Sequence, residues 1–158
     1  MKQFLISVVA SLTMTLVAAP SYAEQAKQPV RAELQALKIS VNKDGKETAA
    51  EAKEARPGDL IEYRATYTNT SKKTISGLAA TLPIPKDMQF TGTATPAGAE
   101  ASTDGKTFAM MPLKRKVGDK VVDVPLADYR ALRWRVAELP TGKSTVVTAR
   151  TRVNGVNP

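Results

Sequence analysis

The sequence contains neither cysteine nor histidine, and it has few aromatic residues: three Phe, one Trp and four Tyr. Without cysteine and histidine, the chain cannot form disulfides, cysteine nucleophiles, histidine general bases or the usual zinc sites. A paired-carboxylate motif for acid–base catalysis is also absent. Scarce aromatic side chains argue against a stacking surface for nucleic acid. We therefore predict no enzyme activity, no metal or cofactor site and no nucleic-acid partner.

Only one long apolar run occurs, and it lies near the start of the chain. Phe4–Ala18 carries no charge, follows Lys2, and is followed by Ser21-Tyr22-Ala23, which places small residues where a signal peptidase acts. The run is shorter than the ~20 residues that a membrane-spanning helix needs. The pattern predicts a cleaved signal peptide over residues 1–23 and a periplasmic or secreted protein. We expect no integral membrane segment after cleavage.

Positive charge is in excess in the rest of the chain. The full sequence has 23 Lys plus Arg and 15 Asp plus Glu. Lys2 belongs to the predicted signal peptide, so the remaining 22 basic and 15 acidic residues give a formal net charge of +7. The candidate anion-binding residues are Lys114, Arg115, Lys116, Lys120, Arg130, Arg133 and Arg135. Two interpretations stay open: a solvated surface whose lysines prevent edge-to-edge aggregation, which we favour, and a binding site for an anion.

Short alternating stretches make up most of the chain after residue 33, and Pro, Gly and Asp-Gly separate them. Leu60–Asn69 and Ser144–Val153 are two such stretches. Strands spaced by about 8–12 residues are typical of an antiparallel sandwich. The predicted fold class is therefore all-β, an immunoglobulin-like antiparallel β-sandwich. A period of two places four residues in its core: Tyr63, Tyr67, Leu82 and Trp134.

The same pattern predicts the organisation of the chain. We expect a flexible leader over 24–32, the sandwich over 33–153 with a basic ribbon inserted at 112–128, and a C-terminal tail over 154–158. "TAAEAKEA", residues 48–55, lacks an apolar stripe and precedes Pro57, so it predicts a loop or one loose turn. In the connection after Leu60–Asn69, Asn69 is expected to bond nearby backbone.

Several turn and strand residues resemble those of a known family. Pro57-Gly58-Asp59 precedes a strand with Tyr63, Asn69 ends that strand, Leu82-Pro83 ends the next, and Thr141-Gly142 leads into the last. Together they resemble the conserved-repeat surface domain of bacteria known as domain of unknown function 11. The resemblance runs from Arg56 to Val153 and implies an immunoglobulin-like fold with no known catalysis. The family usually occurs in tandem copies, whereas this chain has one.

These observations predict an exported, non-catalytic module of the bacterial cell envelope with a structural or protein-binding role. The alternative is a binder of anionic envelope polymer or lipid headgroups through the basic residues between 114 and 135. An envelope protein or an anionic polymer is the expected partner, and the sequence leaves the partner's identity and the oligomeric state open.

Overall fold

Two antiparallel β-sheets packed face to face form the body of the protein. The computed structural model describes residues 29–155, and these form eleven strands and one short 3-10 helix, Leu126–Asp128. The strands are β1 (Val30–Val41), β2 (Glu47–Glu51), β3 (Leu60–Asn69), β4 (Ile75–Pro83), β5 (Met88–Thr95), β6 (Glu100–Ser102), β7 (Ala109–Met110), β8 (Lys114–Val117), β9 (Lys120–Asp123), β10 (Ala131–Leu139) and β11 (Ser144–Val153).

The strand order differs between the sheets. One sheet has the order β2-β1-β3-β11-β5, the second has β4-β10-β6-β7, and β8 and β9 form a separate two-stranded ribbon. All strand pairs are antiparallel. The predicted all-β class and the antiparallel sandwich arrangement are confirmed. The predicted signal peptide, residues 24–28 of the leader and the last three residues of the tail lie outside the described residues.

The core fills the space between the two larger sheets. Ile61 and Val147 reach it from the five-stranded sheet, and Leu82 and Leu132 from the four-stranded sheet, all fully or almost fully buried. Trp134 is also buried, as predicted, and its indole Nε1 donates a hydrogen bond to the Pro96 carbonyl at 2.7 Å. A buried indole N–H needs an acceptor, and the Pro96 carbonyl supplies it. The same bond fixes the orientation of the Trp134 ring.

The two predicted core tyrosines lie at the margin of the core rather than in its centre. Tyr63 and Tyr67 are half-buried and pack against the buried cluster. The Tyr67 hydroxyl donates to the Thr81 carbonyl. Partial burial raises the pKa of both phenols above the usual value. Both tyrosines therefore point toward the core, as predicted. They are less buried than the smaller Ile61 and Ala65 on the same face of β3.

Two predictions near the start of the sandwich are wrong. β1 begins at Val30, so the last residues of the expected 24–32 leader belong to the first strand. β2 is a strand where a loop was expected, and it pairs with β1 from Leu37 to Val41. Every residue of β2 is exposed, so main-chain pairing rather than burial selects the strand. Asn42 supports this hairpin because its Oδ1 accepts from two backbone N–H groups in the turn.

Asn69 organises the connection between β3 and β4, as predicted. It is 1% exposed, and its Nδ2 donates to the carbonyls of Lys73 and Leu139, both at 2.8 Å. Its Oδ1 accepts from the backbone N–H and the hydroxyl of Ser71. The backbone of Asn69 also bonds Gly142 and Lys143, in the turn before β11. One side chain therefore joins two loops at the same end of the sandwich.

Candidate functional site: the basic ribbon and its cleft

The ribbon formed by β8 and β9, residues 114–123, projects from the sandwich. Its register runs from Lys114 opposite Asp123 to Val117 opposite Lys120, and Gly118 has φ +60° in the turn, a conformation that favours glycine. All residues of both strands are exposed. The predicted basic ribbon therefore exists as a unit of its own, attached to the sandwich at its base.

The base of the ribbon is built into the core. Leu113 and Val124, which flank the ribbon, are buried, and the Val124 N–H donates to the Leu113 carbonyl at 2.8 Å. The Leu113 N–H in turn donates to the hydroxyl of Tyr129 at 2.8 Å. Tyr129 is fully buried and its ring stacks on Phe90, with the centroids 5.9 Å apart. This anchoring fixes where the ribbon leaves the sandwich.

Positive and apolar side chains lie next to one another across the ribbon. Directly paired residues of an antiparallel ribbon share a face, so Lys116 lies beside Val121 and Lys120 beside Val117. The valines are unusually exposed for apolar side chains: Val117 is 56% exposed, Val121 67% and Val122 37%. Each face of the distal half thus presents one lysine beside a directly paired valine, and the two pairs lie on opposite faces.

The ion pairs of the ribbon lie toward its base. Lys114 Nζ is 2.7 Å from Asp123 Oδ1, and Arg115 Nη1 is 3.3 Å from Asp128 Oδ2. Among the ion pairs of residues 29–155, none involves Lys116 or Lys120. These two ammonium groups are the cations of the ribbon that are most readily available to an anionic ligand.

A cleft of about 550 Å³ opens beside the base of the ribbon. Its lining residues are Thr103, Thr107, Ala109, Leu113, Lys114, Arg115, Val124, Asp128 and Arg130. The Arg130 guanidinium donates from Nη1 to the carbonyls of Ala127 and Tyr129, at 2.7 and 2.8 Å. The cleft therefore brings together three of the seven predicted cations, but each of them already bonds a protein oxygen. The lining thus combines apolar side chains with polar and charged groups, as ligand-binding clefts commonly do.

Arg133 and Arg135 form a separate group on β10. Both donate from Nε to the Glu100 carboxylate, at 2.7 and 3.1 Å. The hydrogen bond from Arg133 is the main reason that the pKa of Glu100 is lowered, and Arg135 adds to it. Arg133 also lies over the Phe108 ring, with Cζ 4.1 Å from the centroid. The seven candidate cations thus fall into three groups: Lys116 and Lys120 on the distal ribbon, Lys114, Arg115 and Arg130 at the cleft, and Arg133 and Arg135 at Glu100.

Sequence reasoning missed a second charged cluster, on the outer face of the five-stranded sheet. Glu62 is buried, with Arg64 Nη2 at 2.8 Å and Arg150 Nε at 3.4 Å. Arg150 also donates twice to Glu47, which lowers the pKa of that carboxyl. The missing signal was register, because Glu62 and Arg150 become neighbours only when β3 pairs with β11. Each carboxylate is bonded to a guanidinium, which gives this cluster a structural role.

Other site types find no support among the described residues. Residues 29–155 contain no group of three or more acidic side chains placed to hold a metal ion. The same part of the chain has no helix of the length and apolar character needed to cross a bilayer. Comparisons with protein-family models, curated proteins and solved structures find no match to this chain. The resemblance to domain of unknown function 11 stays a prediction.

Proposed function

We propose that the protein is an exported, non-catalytic module of the cell envelope that binds an acidic partner protein through the ribbon. The observation that carries the proposal is the distal half of the ribbon, where each face places an exposed valine beside a lysine: Val121 beside Lys116 on one face and Val117 beside Lys120 on the other. Exposed apolar side chains that the fold does not need are typical of interaction surfaces. The lysines select an acidic partner and speed its approach, while the valines add apolar contact.

The charged groups of the sandwich support a non-catalytic role. A general acid or base needs a carboxyl group that is free to exchange protons at a cleft. Glu62 and Glu100 are instead bonded to guanidinium groups, and Asp104 is bonded to backbone N–H groups of its own loop. These carboxylates hold strands and turns together, which is the role expected in a binding scaffold.

A second candidate function is binding of anionic envelope polymer or lipid headgroups. The two lysines that lack an ion pair favour it, because each can neutralise a phosphate or carboxylate without breaking an internal contact. The valines distinguish the candidates. A polymer gains little from exposed valines, whereas a protein interface combines an apolar centre with a charged rim.

Site-specific photo-crosslinking in the producing cell's envelope tests the proposal. A photoreactive residue replaces Val121, and a matched control replaces Val146, which is 45% exposed and lies on β11 of the five-stranded sheet. We expect discrete protein adducts from position 121, lost when Lys116→Gln and Lys120→Gln are combined with it. Adducts at both positions alike, or none at 121, contradict protein binding through the ribbon.

Retention of the purified protein on polyphosphate and on phosphatidylglycerol vesicles tests the second candidate. Ribbon-dependent binding should weaken steeply with salt, and Lys116→Gln with Lys120→Gln should flatten that dependence. If the double variant is retained like the wild type, the ribbon is not the anion-binding element. Binding that Val117→Ser and Val121→Ser weaken, with its salt dependence unchanged, favours apolar insertion over charge.

A further inference from the structure

The first strand of the sandwich has an open edge. β1 pairs with β3 from Val30 to Ile39 on one side, but with β2 only from Leu37 to Val41 on the other. Along the first half of β1, no strand among residues 29–155 occupies that second side. Residues 31–35 are all exposed, and Leu34 is 57% exposed. An edge of this kind is a template for pairing with another strand.

Hydrogen bonds at both ends of this stretch establish which main-chain groups face the open edge. The Ala36 carbonyl accepts from Ala52 N–H at 2.9 Å, on the side of β2. The Pro29 carbonyl accepts from Thr70 N–H at 2.9 Å, on the side of β3. Main-chain groups alternate in direction along a strand. The N–H and C=O groups of Val30, Ala32 and Leu34 therefore point to the open edge.

The open edge lacks the usual protection against pairing. Natural edge strands are protected by proline, lysine, bulges or covering loops. Residues 30–35, Val-Arg-Ala-Glu-Leu-Gln, contain no proline or lysine, and the β1–β3 register is continuous through them. Their one arginine and one glutamate cancel in charge. By contrast, β5 at the opposite edge has an irregular register with β11, between Ala149 and Thr151.

We propose that two copies of this protein pair antiparallel through residues 30–34 of β1, about a twofold axis at Ala32. In this register Ala32 lies opposite Ala32 of the second copy, and Val30 opposite Leu34 of the second copy. Three pairs of residues with outward main-chain groups then form about six hydrogen bonds between the copies. The two five-stranded sheets become one continuous sheet, and exposed Leu34 gains an apolar neighbour.

Charge complementarity selects this register. It places Arg31 of each copy directly opposite Glu33 of the other, so that two attractive cross-strand pairs replace the exposed Arg31–Glu33 ion pair, 3.3 Å from Nε to Oε1, within each copy. Moving the axis by one residue places Arg31 against Arg31 or Glu33 against Glu33, which repel. Moving it to Leu34 places Ala32 against Ala36, whose carbonyl already bonds Ala52. The register centred on Ala32 alone uses the open edge and matches the charges.

The inference does not rest on the proposed ligand of the ribbon. It has one consequence for that ligand, however: a dimer carries two ribbons. A partner with repeated acidic sites is then held by both ribbons, and the second contact forms at high effective concentration. Weak binding by one ribbon would thereby become stable attachment of the dimer.

Exchange of charges between two variants gives the sharpest test. Arg31→Glu alone leaves two acids at positions 31 and 33, and Glu33→Arg alone leaves two arginines. By sedimentation velocity of the full chain, each variant should self-associate about tenfold more weakly than the wild type, since two attractive pairs become repulsive. An equimolar mixture of the two variants should form a heterodimer, because every cross-strand pair is again opposite in charge.

Two further variants test the edge and the axis directly. Ala32→Pro removes an outward N–H at the centre, which an edge strand tolerates, so it should give a folded monomer whose unfolding midpoint does not depend on protein concentration. Ala32→Cys introduces the only thiol of the chain and should crosslink two copies by a disulfide, whereas Ala137→Cys on β10 should not.

A wild type that is monomeric at all concentrations, or a dimer insensitive to Ala32→Pro and to charge reversal, overturns the proposal. Slow amide exchange at Ala32 in a monomer overturns it too, since the chain would then cover its own edge.

Discussion

The sandwich and the ribbon are both built from antiparallel strands, but they differ in how many strand residues are buried. In the sandwich, alternate residues of β10 and β11 enter the core, as with Trp134 and Val147. In the ribbon, no residue of either strand is buried, and apolar valines face solvent. The sandwich gains its stability from burial, whereas the ribbon contributes little burial beyond its base. The apolar residues of the ribbon therefore contribute little to the core, and the proposed binding would give them a role.

Cations differ between the two regions in the same way. The sandwich bonds Arg133 to Glu100 and Arg150 to Glu47 and Glu62, with guanidinium groups largely shielded from water. The distal ribbon leaves Lys116 and Lys120 outside every ion pair of residues 29–155. A count of basic residues in the sequence cannot separate these two uses, because both add equally to the net charge.

The largest effect on stability should come from the centre of the sandwich. Trp134→Ala removes a buried ring and leaves a cavity, so the free energy of unfolding should fall by about 3–5 kcal/mol. Val121→Ala on the ribbon is the control and should change it by at most about 0.5 kcal/mol. Urea denaturation followed by circular dichroism measures both. Similar losses for the two variants would remove the distinction between a stabilising sandwich and a non-essential ribbon.

Asn69→Ala should have the next largest effect. It removes a buried side chain that bonds the backbone of Lys73, Leu139 and Ser71, and it leaves the Leu139 carbonyl without that partner. We expect a loss of about 2–3 kcal/mol, since unsatisfied buried groups add to the lost bonds. Asn42→Ala, which breaks two bonds in an exposed turn, should cost less than about 1 kcal/mol. Equal losses would contradict a special role for burial at Asn69.

Two arginines that bond the same carboxylate test how solvent exposure changes the contribution of an ion pair to stability. Arg133 is 21% exposed in its side chain and Arg135 70%, yet both bond Glu100. Arg133→Gln should cost about 1–2 kcal/mol, because it loses a charged hydrogen bond and the contact with Phe108. Arg135→Gln should cost at most about 0.5 kcal/mol. A larger loss for Arg135 would mean that exposure does not govern these ion pairs.

Acid should weaken the sandwich through its bonded carboxylates. The N–H groups of Lys106 and Thr107, with the Ser102 hydroxyl, hold the pKa of Asp104 far below its usual range. The hydrogen bond from Lys38 likewise lowers the pKa of Asp59. A lowered folded pKa gives stability that is present above the unfolded value of about 4 and is lost as pH falls below it. The unfolding midpoint should therefore drop with pH in this range, and Asp104→Asn should make the drop smaller. A midpoint independent of pH there would contradict these bonds.

The parts of the molecule that the sequence predicted well depend on local patterns. The bounds of β3 and β11 match the prediction because their alternation and their flanking turns are readable in isolation. The ribbon was predicted from the basic stretch within residues 112–128. β2 and the Glu62 cluster were missed because they exist only through pairing with β1 and β11. Local propensity carries no information on such long-range register, and the same limit hid the division of the candidate cations into three groups.

The smallest effect on stability should come from the two lysines on which the proposed binding depends most. Lys116→Gln with Lys120→Gln removes two exposed charges that take part in no ion pair of the described chain, so we expect a change of about 0.5 kcal/mol or less. Crosslinking of the partner from position 121 should nevertheless fall sharply and lose its dependence on salt. Lys114→Gln is the matched control, because it loses a charge already neutralised by Asp123 and should reduce crosslinking less. If Lys114→Gln weakens crosslinking as much as Lys116→Gln with Lys120→Gln does, binding depends on the net charge of the ribbon. Such a result would contradict a specific role for the two distal lysines.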